Sequence, residues 1–272
     1  MLVLKKLLAL AIVIGAAAPA IGQEPKQEPK QESKPASTDD QLDALVKAYP
    51  DFIKGHDQTS IVWRDGTKMS AVDQAQDKTF DQLLKHASIV DQFNQPYPTG
   101  RLSEPPAENS DPGRFRNEEF FTRMYGDCKK GEVDRNLVTI TWLPKTWGKQ
   151  VRVTKVNNVA ARLAAVSDDI DRLPPNIKQA AYPIAGVLSC RPVADTGKMS
   201  MHSYGAAIDL NLAFSDYWLW QKHVAKIAYR NRMPAEIVDI FERHGFIWGG
   251  KWYHFDTMHF EYRPELLGLA GG

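Results

Sequence analysis

His202 and Asp209 stand seven residues apart in the run SMHSYGAAIDLN (200–211), separated by a glycine and small apolar residues. A carboxylate inside an apolar strand is costly unless it is paired or binds a metal. Ser203, Tyr204 and Gly205 allow a bend that turns the His202 imidazole back toward Asp209. Imidazole with carboxylate suits Zn²⁺, but two donors do not make a site. A second run, WYHFDTMHFEYRPE (252–265), holds His254, Asp256, His259 and Glu261 within eight residues. Asp256 and His259 are three apart, so they share a helical face or are joined by a bend. His259 and Glu261 alternate as in a strand and face the same side. A zinc hydrolase needs three protein ligands, an open position and a carboxylate beside the attacking water. His202, Asp209 and His259 as ligands, with Asp256 as base, meet that requirement. On residue types and spacing alone, a hydrogen-bonded histidine–carboxylate network without metal fits as well. A serine-type site and a non-catalytic metal site also stay open.

Other polar residues carry two readings each. Ser200 supports a ligand or caps a turn. His254 lies behind the ligands or on a cleft wall, or else stacks among Trp252, Tyr253 and Phe255. Glu261 orients a ligand by accepting from an imidazole N–H, or makes a solvent-facing salt bridge. His223 and His244 read as structural, and His56 and His86 have no partner signature. Trp218, Trp220, Trp248 and Trp252 raise the possibility of sugar stacking against that of packing in the core or at its rim. In a helix, Trp218 and Trp220 would not both point inward.

The elements that must position these groups follow from periodicity. Helices are expected at 41–49, within 80–90, at 115–126, at 155–173 with Val159, Leu163, Val166, Ile170 and Leu173 on one face, at 216–231 and at 234–245. In the last, Pro234 fits the first turn and Gly245 the position past the end. Strands are expected at 60–63 before a turn at Asp65-Gly66, at 136–144, at 185–190, and in AAIDLNLA, HGFIWG and MHFEYR. The proline-rich stretch 94–113 reads as a surface loop or cleft lip. Helices grouped against a small, mostly antiparallel sheet make an α+β fold.

The chain has 272 residues, 43% of them hydrophobic, and a net charge of +1. That balance gives no electrostatic case for nucleic acid. Lys5 and Lys6 precede an apolar run from Leu7 to Ala20 with small residues at its end, the pattern of a signal peptide over residues 1–22. This predicts export to the periplasm or cell envelope, with no stable membrane insertion after cleavage. Residues 23–40, rich in Pro, Lys and Gln, read as a flexible linker. Residues 41–112 are expected to form an N-terminal extension wrapping a catalytic domain at 113–268. In an oxidising compartment Cys128 and Cys190, the two cysteines, are a plausible disulfide worth about 3–4 kcal/mol, with two core thiols as the alternative. Oligomeric state has no signature in the chain.

The two runs together resemble the zinc D,D-carboxypeptidase and endolysin-type family of cell-wall peptidases. The pattern Ser-x-His-x-x-Gly-x-Ala-x-Asp is matched by Ser200, His202, Gly205, Ala207 and Asp209, and acidic-x-x-His by Asp256 and His259. The likeness implies a Hedgehog/D,D-peptidase-like zinc peptidase fold over about 120–267. It also implies Zn²⁺ on His202, Asp209 and His259, and Asp256 as base where several branches of the family use glutamate. GVLSCRP resembles the segment whose arginine binds a substrate carboxylate, here Arg191. The implied substrates are peptidoglycan stem peptides, cut first of all at a terminal D-Ala-D-Ala bond. An endopeptidase, cutting L-alanyl-D-glutamate or cross-links, is the alternative, and a non-catalytic wall-binding module the rival from another class.

Overall fold

The computed structural model describes residues 36–75, 77–194, 196–221 and 226–269. The expected signal peptide, most of the linker and His223 lie outside them. Helix α1 (Thr38–Ala48) starts before the expected Gln41, within the stretch read as linker. Ser37 accepts from the Asp40 N–H while the Asp40 carboxylate accepts from the Ser37 N–H, satisfying two donors that a helix start leaves orphaned. Strands β1 (Ile53–His56), β2 (Ser60–Trp63) and β3 (Lys68–Ser70) follow as an antiparallel meander, with Gly66 at the expected turn. Helix α2 (Phe80–His86) has a second reciprocal cap, at Thr79 and Gln82. Residues 94–113 contain no helix or strand. They lead to α3 (Glu118–Tyr125) and to the antiparallel hairpin β4 (Leu137–Trp142) and β5 (Lys149–Thr154).

Helix α4 (Val159–Asp171) buries Val159, Leu163, Val166 and Ile170, the face its periodicity predicts. The short α5 (Pro175–Lys178) follows. The remaining elements are β6 (Ala207–Asp209), α6 (Ala235–Arg243), β7 (Phe246–Trp248), β8 (His259–Tyr262) and α7 (Pro264–Leu267). Strand β8 lies between β6 and β7, antiparallel to both. The architecture is α+β, with three small antiparallel sheets among helices where one sheet was expected. One buried apolar cluster joins Leu42, Leu45 and Tyr49 to Phe120, Trp142, Leu163, Phe241 and Phe260. Each such side chain contributes about 1.5–3 kcal/mol on burial, so the first helix is held by the same core as the last strands. No helix of the described residues is long and apolar enough to cross a membrane.

Two expected elements are absent, for the same reason. Residues 185–190 are not a strand; after one isolated pairing of Gly186 with Asp209, their backbone groups serve the His202 turn. Val187 O accepts from His202 Nδ1, Ser189 N donates to His202 O, and Ser189 O accepts from the Ser203 hydroxyl. The expected helix over 216–231 is reduced to a 3-10 turn at Trp218–Trp220 among its described residues. Thr257 N donates to Asp216 O and Trp218 N to Phe255 O, so this segment lies along the 255–257 loop. In both places tertiary partners override local propensity. Strands β1, β3 and β5 were not anticipated, since they are short or, like β5, carry charged residues on an exposed face.

Candidate metal centre

Asp209 on β6 stands directly opposite His259 on β8. Opposed residues of an antiparallel pair project from the same face with their Cβ atoms about 5 Å apart. Pairing these two strands therefore brings a carboxylate and an imidazole together. The third group, His202, sits in a 3-10 turn, Met201–Tyr204, that Ser200 caps by accepting from the His202 N–H. Gly205 ends that turn at φ +65°, where a Cβ would lie 2.9 Å from Leu137 and 3.1 Å from Thr154 N. Both the turn conformation and this close approach demand glycine.

The three donor atoms converge. His202 Nε2 lies 3.0 Å from Asp209 Oδ1 and 3.1 Å from His259 Nδ1, which is itself 3.0 Å from Asp209 Oδ1. The far sides of both rings fix their tautomers. His202 Nδ1 is 2.8 Å from Val187 O, which only accepts, so the proton is on Nδ1 and the Nε2 lone pair faces inward. His259 Nε2 is 2.9 Å from Glu261 Oε2, so Nε2 donates there and Nδ1 is the ring nitrogen that faces inward. Without metal, a proton on His259 Nδ1 donated to Asp209 Oδ1 holds the three atoms together, and a metal ion would take that proton's place. Donors about 2.0–2.1 Å from a tetrahedral zinc lie about 3.3 Å apart, close to these separations. His202, Asp209 and His259 are suited to coordinate Zn²⁺, and three protein donors leave a tetrahedral position for water or substrate.

Asp256 supplies a second test of fit. Its Oδ1 is inaccessible to solvent and has no hydrogen-bond partner, although it borders the same cleft as the triad. Buried polar atoms are rarely left so, and an oxygen beside a metal ligand set is explained by a ligand or water reaching it. Burial, then the Asp209 carboxylate, push the Asp256 carboxyl up to about 7. Burial alone would lower His259, but its hydrogen bonds to Asp209 and Glu261 outweigh that and raise it to about 10. Asp209 and Glu261 are held well below the usual carboxylate range despite burial, Asp209 by the two imidazoles and Glu261 by Arg116 and His259.

The remaining residues singled out from the sequence fall around this centre. Glu261 is fully buried, not solvent-facing, and contacts Arg116 and Arg263 as well as His259. His254 lines the cleft, with Nδ1 2.6 Å from Asp111 and its ring stacked on Phe80 and edge-on to Trp218. Arg191 also lines the cleft, exposed and without an ion-pair partner among the described residues. Its backbone is fixed, Arg191 N donating to Ser203 and its carbonyl accepting from Ser200 N. The neighbouring Cys190 forms a disulfide with Cys128, as the cysteine pair suggested. His244 pairs with Asp169, and His56, read as unpartnered, is 3.0 Å from Asp43.

Sequence reading missed Asp111, Arg114 and Arg116. Asp111 is buried, 2.7 Å from Arg114 Nη1, and accepts from both His254 N and its ring. The His254 hydrogen bond and the Arg114 charge outweigh burial and hold its carboxyl below the ordinary range. Charged residues flanking Phe115 in a non-helical stretch were the available signal.

Comparison with curated proteins and with solved structures finds no match. A family model described as D-alanyl-D-alanine carboxypeptidase matches residues 194–262, a narrower span than the motifs suggested, with Arg191 just outside it. The match contains all three donors and Asp256, and the α+β architecture is consistent with the Hedgehog-like zinc peptidase fold it indicates. Residues 194–262 thus resemble the D-alanyl-D-alanine carboxypeptidase family and contain a His–Asp–His cluster placed to bind a metal, as a zinc metallopeptidase requires.

Proposed function

We propose that this protein is an exported D-alanyl-D-alanine carboxypeptidase that trims the stem peptides of peptidoglycan, with 113–268 as its catalytic part and 41–112 as an extension around it. The observation that carries the choice of a carboxypeptidase is Arg191, a guanidinium with no ion-pair partner among the described residues that borders the same cleft as the triad. A guanidinium binds a carboxylate through two parallel hydrogen bonds, so it selects a substrate with a free C-terminus near the scissile bond. His202, Asp209 and His259 would hold Zn²⁺, which would supply Lewis acidity toward a carbonyl and acidify a water near neutral pH. Asp256 takes the water proton on its carboxylate and delivers it to the departing amine nitrogen. Burial and the Asp209 carboxylate raise its carboxyl to about 7, close to the pH at which a group both takes and returns a proton. Glu261 and Val187 O keep both imidazole lone pairs aimed inward.

The test is mass spectrometry of a stem pentapeptide incubated with the zinc-loaded protein. Release of one terminal alanine supports the reading. Cleavage at an internal bond would reassign the protein as an endopeptidase, and an intact peptide would remove the catalytic reading.

A further inference from the structure

Where a helix was expected over 216–231, the chain makes a short turn that leaves one indole in the open. Trp220 is 55% exposed, the most exposed of the large hydrophobic side chains among the described residues. It is joined to the cleft by neighbours, since Tyr217 and Trp218 line the cleft and the Trp218 ring packs edge-on against His254, centroids 4.7 Å apart. Tyr217 meets Trp220 at 89° with centroids 6.0 Å apart, an edge contact that does not cover the indole by parallel stacking.

The ledge is rigid. Tyr217 pairs with Asp256, and Trp218 N donates to Phe255 O, so the ledge is tied to the loop carrying the base. Below it Arg232 binds Asp216 at 3.1 Å and the Ala213 carbonyl at 2.6 Å. A preorganised flat ring loses little entropy on binding. Exposed apolar surface continuous with a ligand cleft marks a binding subsite.

We propose that Tyr217, Trp218 and Trp220 form a sugar subsite, in which Trp220 stacks on the apolar C–H face of a pyranose ring. The inference rests on the reading above that the substrate is a stem peptide, because such a peptide is borne on a glycan. The sugar is then held on the ledge while the peptide enters the cleft. A single exposed indole beside a cleft suits a pyranose better than a protein partner, which needs a wider apolar patch.

The test compares a disaccharide-linked stem peptide with the same peptide lacking sugar, using the unmodified protein, Trp220→Ala and Trp220→Phe. For Trp220→Ala, KM for the disaccharide-linked peptide should rise about five- to tenfold with kcat unchanged, while the sugar-free peptide is handled as before. Trp220→Phe, which keeps a ring face, should recover most of the loss. Equal change on both substrates, or none on either, would overturn the subsite. A peptide-free oligosaccharide titrated into the metal-free protein, followed by NMR, separates the two ideas. Binding that depends on Trp220 supports the ledge, and if the zinc-loaded protein also leaves both stem-peptide substrates intact, the peptidase reading alone is removed. Hydrolysis without such binding removes the ledge alone. Self-association of the chain that Trp220→Ala abolishes would make the ledge a protein interface and also overturn the proposal.

Discussion

Residues 194–262 and the chain before them meet at one cleft and bring different things to it. The later region supplies the atoms that can hold zinc, the lone pairs of His202, Asp209 and His259, together with the Asp256 carboxylate. The earlier region supplies the charges and fixed partners behind those atoms. Arg116 binds Glu261, Asp111 holds His254, Val187 O sets the His202 tautomer, and Cys128 anchors the residue next to Arg191. Donor atoms need the right element at the right place, and few residue types qualify. Supporting charges act through buried contacts from any part of the chain. Disabling one group of each kind should therefore produce different defects.

The largest effect is expected from Asp256→Asn. The amide keeps the shape but cannot take a proton, so kcat should fall about 10²–10⁴-fold while zinc content stays whole. Turnover assays with metal analysis check both halves, and undiminished turnover would remove Asp256 from the proton path. Glu261→Gln should instead strike the metal itself. The amide can still accept from His259, but Arg116 and Arg263 lose a buried counter-charge. Removing one partner of such a pair costs about 3–5 kcal/mol of stability, and weaker ligand orientation should reduce zinc affinity about 10–100-fold. Denaturant melts and competitive zinc titration read the two separately. Lost stability with unchanged zinc affinity would leave Glu261 a purely structural role.

That contrast also explains what was legible in the sequence. The His202–Asp209 run and the alternation of His259 with Glu261 were readable from short spacings. Joining the two runs into one triad was decided by the resemblance, since His202 and His259 are 57 residues apart. Their metal-free alternative stayed open because spacing says nothing of tautomers; Val187 O and Glu261 decide that, and the first lies in a segment misread as a strand. Asp111 was missed because 94–113 resembles any solvated loop until the fold buries its end. Arg114 and Arg116 were missed because charges flanking Phe115 show no partner until Asp111 and Glu261 are packed against them. The α+β class was readable from the helix at 159–171 and the final strands. Its three separate sheets were not, since β1 and β3 are too short to leave a pattern.

The pH dependence of metal binding sharpens the role of the supporting charges. In the metal-free protein Asp209 and Glu261 raise His259 to about 10, above its ordinary 6.5. A raised histidine contributes stability that is complete below pH 6.5 and lost as pH climbs toward 10. Zinc must displace the proton on His259 Nδ1, so zinc affinity should rise with pH, about tenfold per unit between 6.5 and 9. Chelator competition across that range measures it, and a flat profile would mean that His259 carries no proton to lose. A smaller effect is expected from replacing Cys128 and Cys190 by serine. The chain-entropy model assigns this cross-link about 3–4 kcal/mol. Because it anchors the neighbour of Arg191, KM for a peptide with a free C-terminus should also rise while kcat and zinc content hold. Steady-state kinetics on the double variant separate that from a general loss of folded protein, which would lower apparent kcat alone.

The smallest effect tests how far the supporting region reaches. From His259 a fully buried chain of contacts runs through Glu261 to Arg263, from Arg263 Nε to Glu265 at 2.5 Å, and from Glu265 to the Tyr49 hydroxyl at 2.5 Å. Tyr49 closes helix α1, far outside the matched span. Tyr49→Phe deletes one donor and leaves the ring packed, so stability should fall by about 1–3 kcal/mol, the cost of an unsatisfied buried acceptor. Glu265 then leans more heavily on Arg263, which draws Arg263 from Glu261 and relaxes the hold on His259. Zinc affinity should consequently drop about two- to threefold, a change small beside that of Glu261→Gln because it passes through three intermediate residues. Zinc titration of the folded variant, at a temperature where its melt shows no unfolded population, isolates this from stability. A measurable drop would make α1 part of the metal centre's support, whereas unchanged affinity alongside lost stability would confine α1 to the shared core and place the boundary of that support at Arg263.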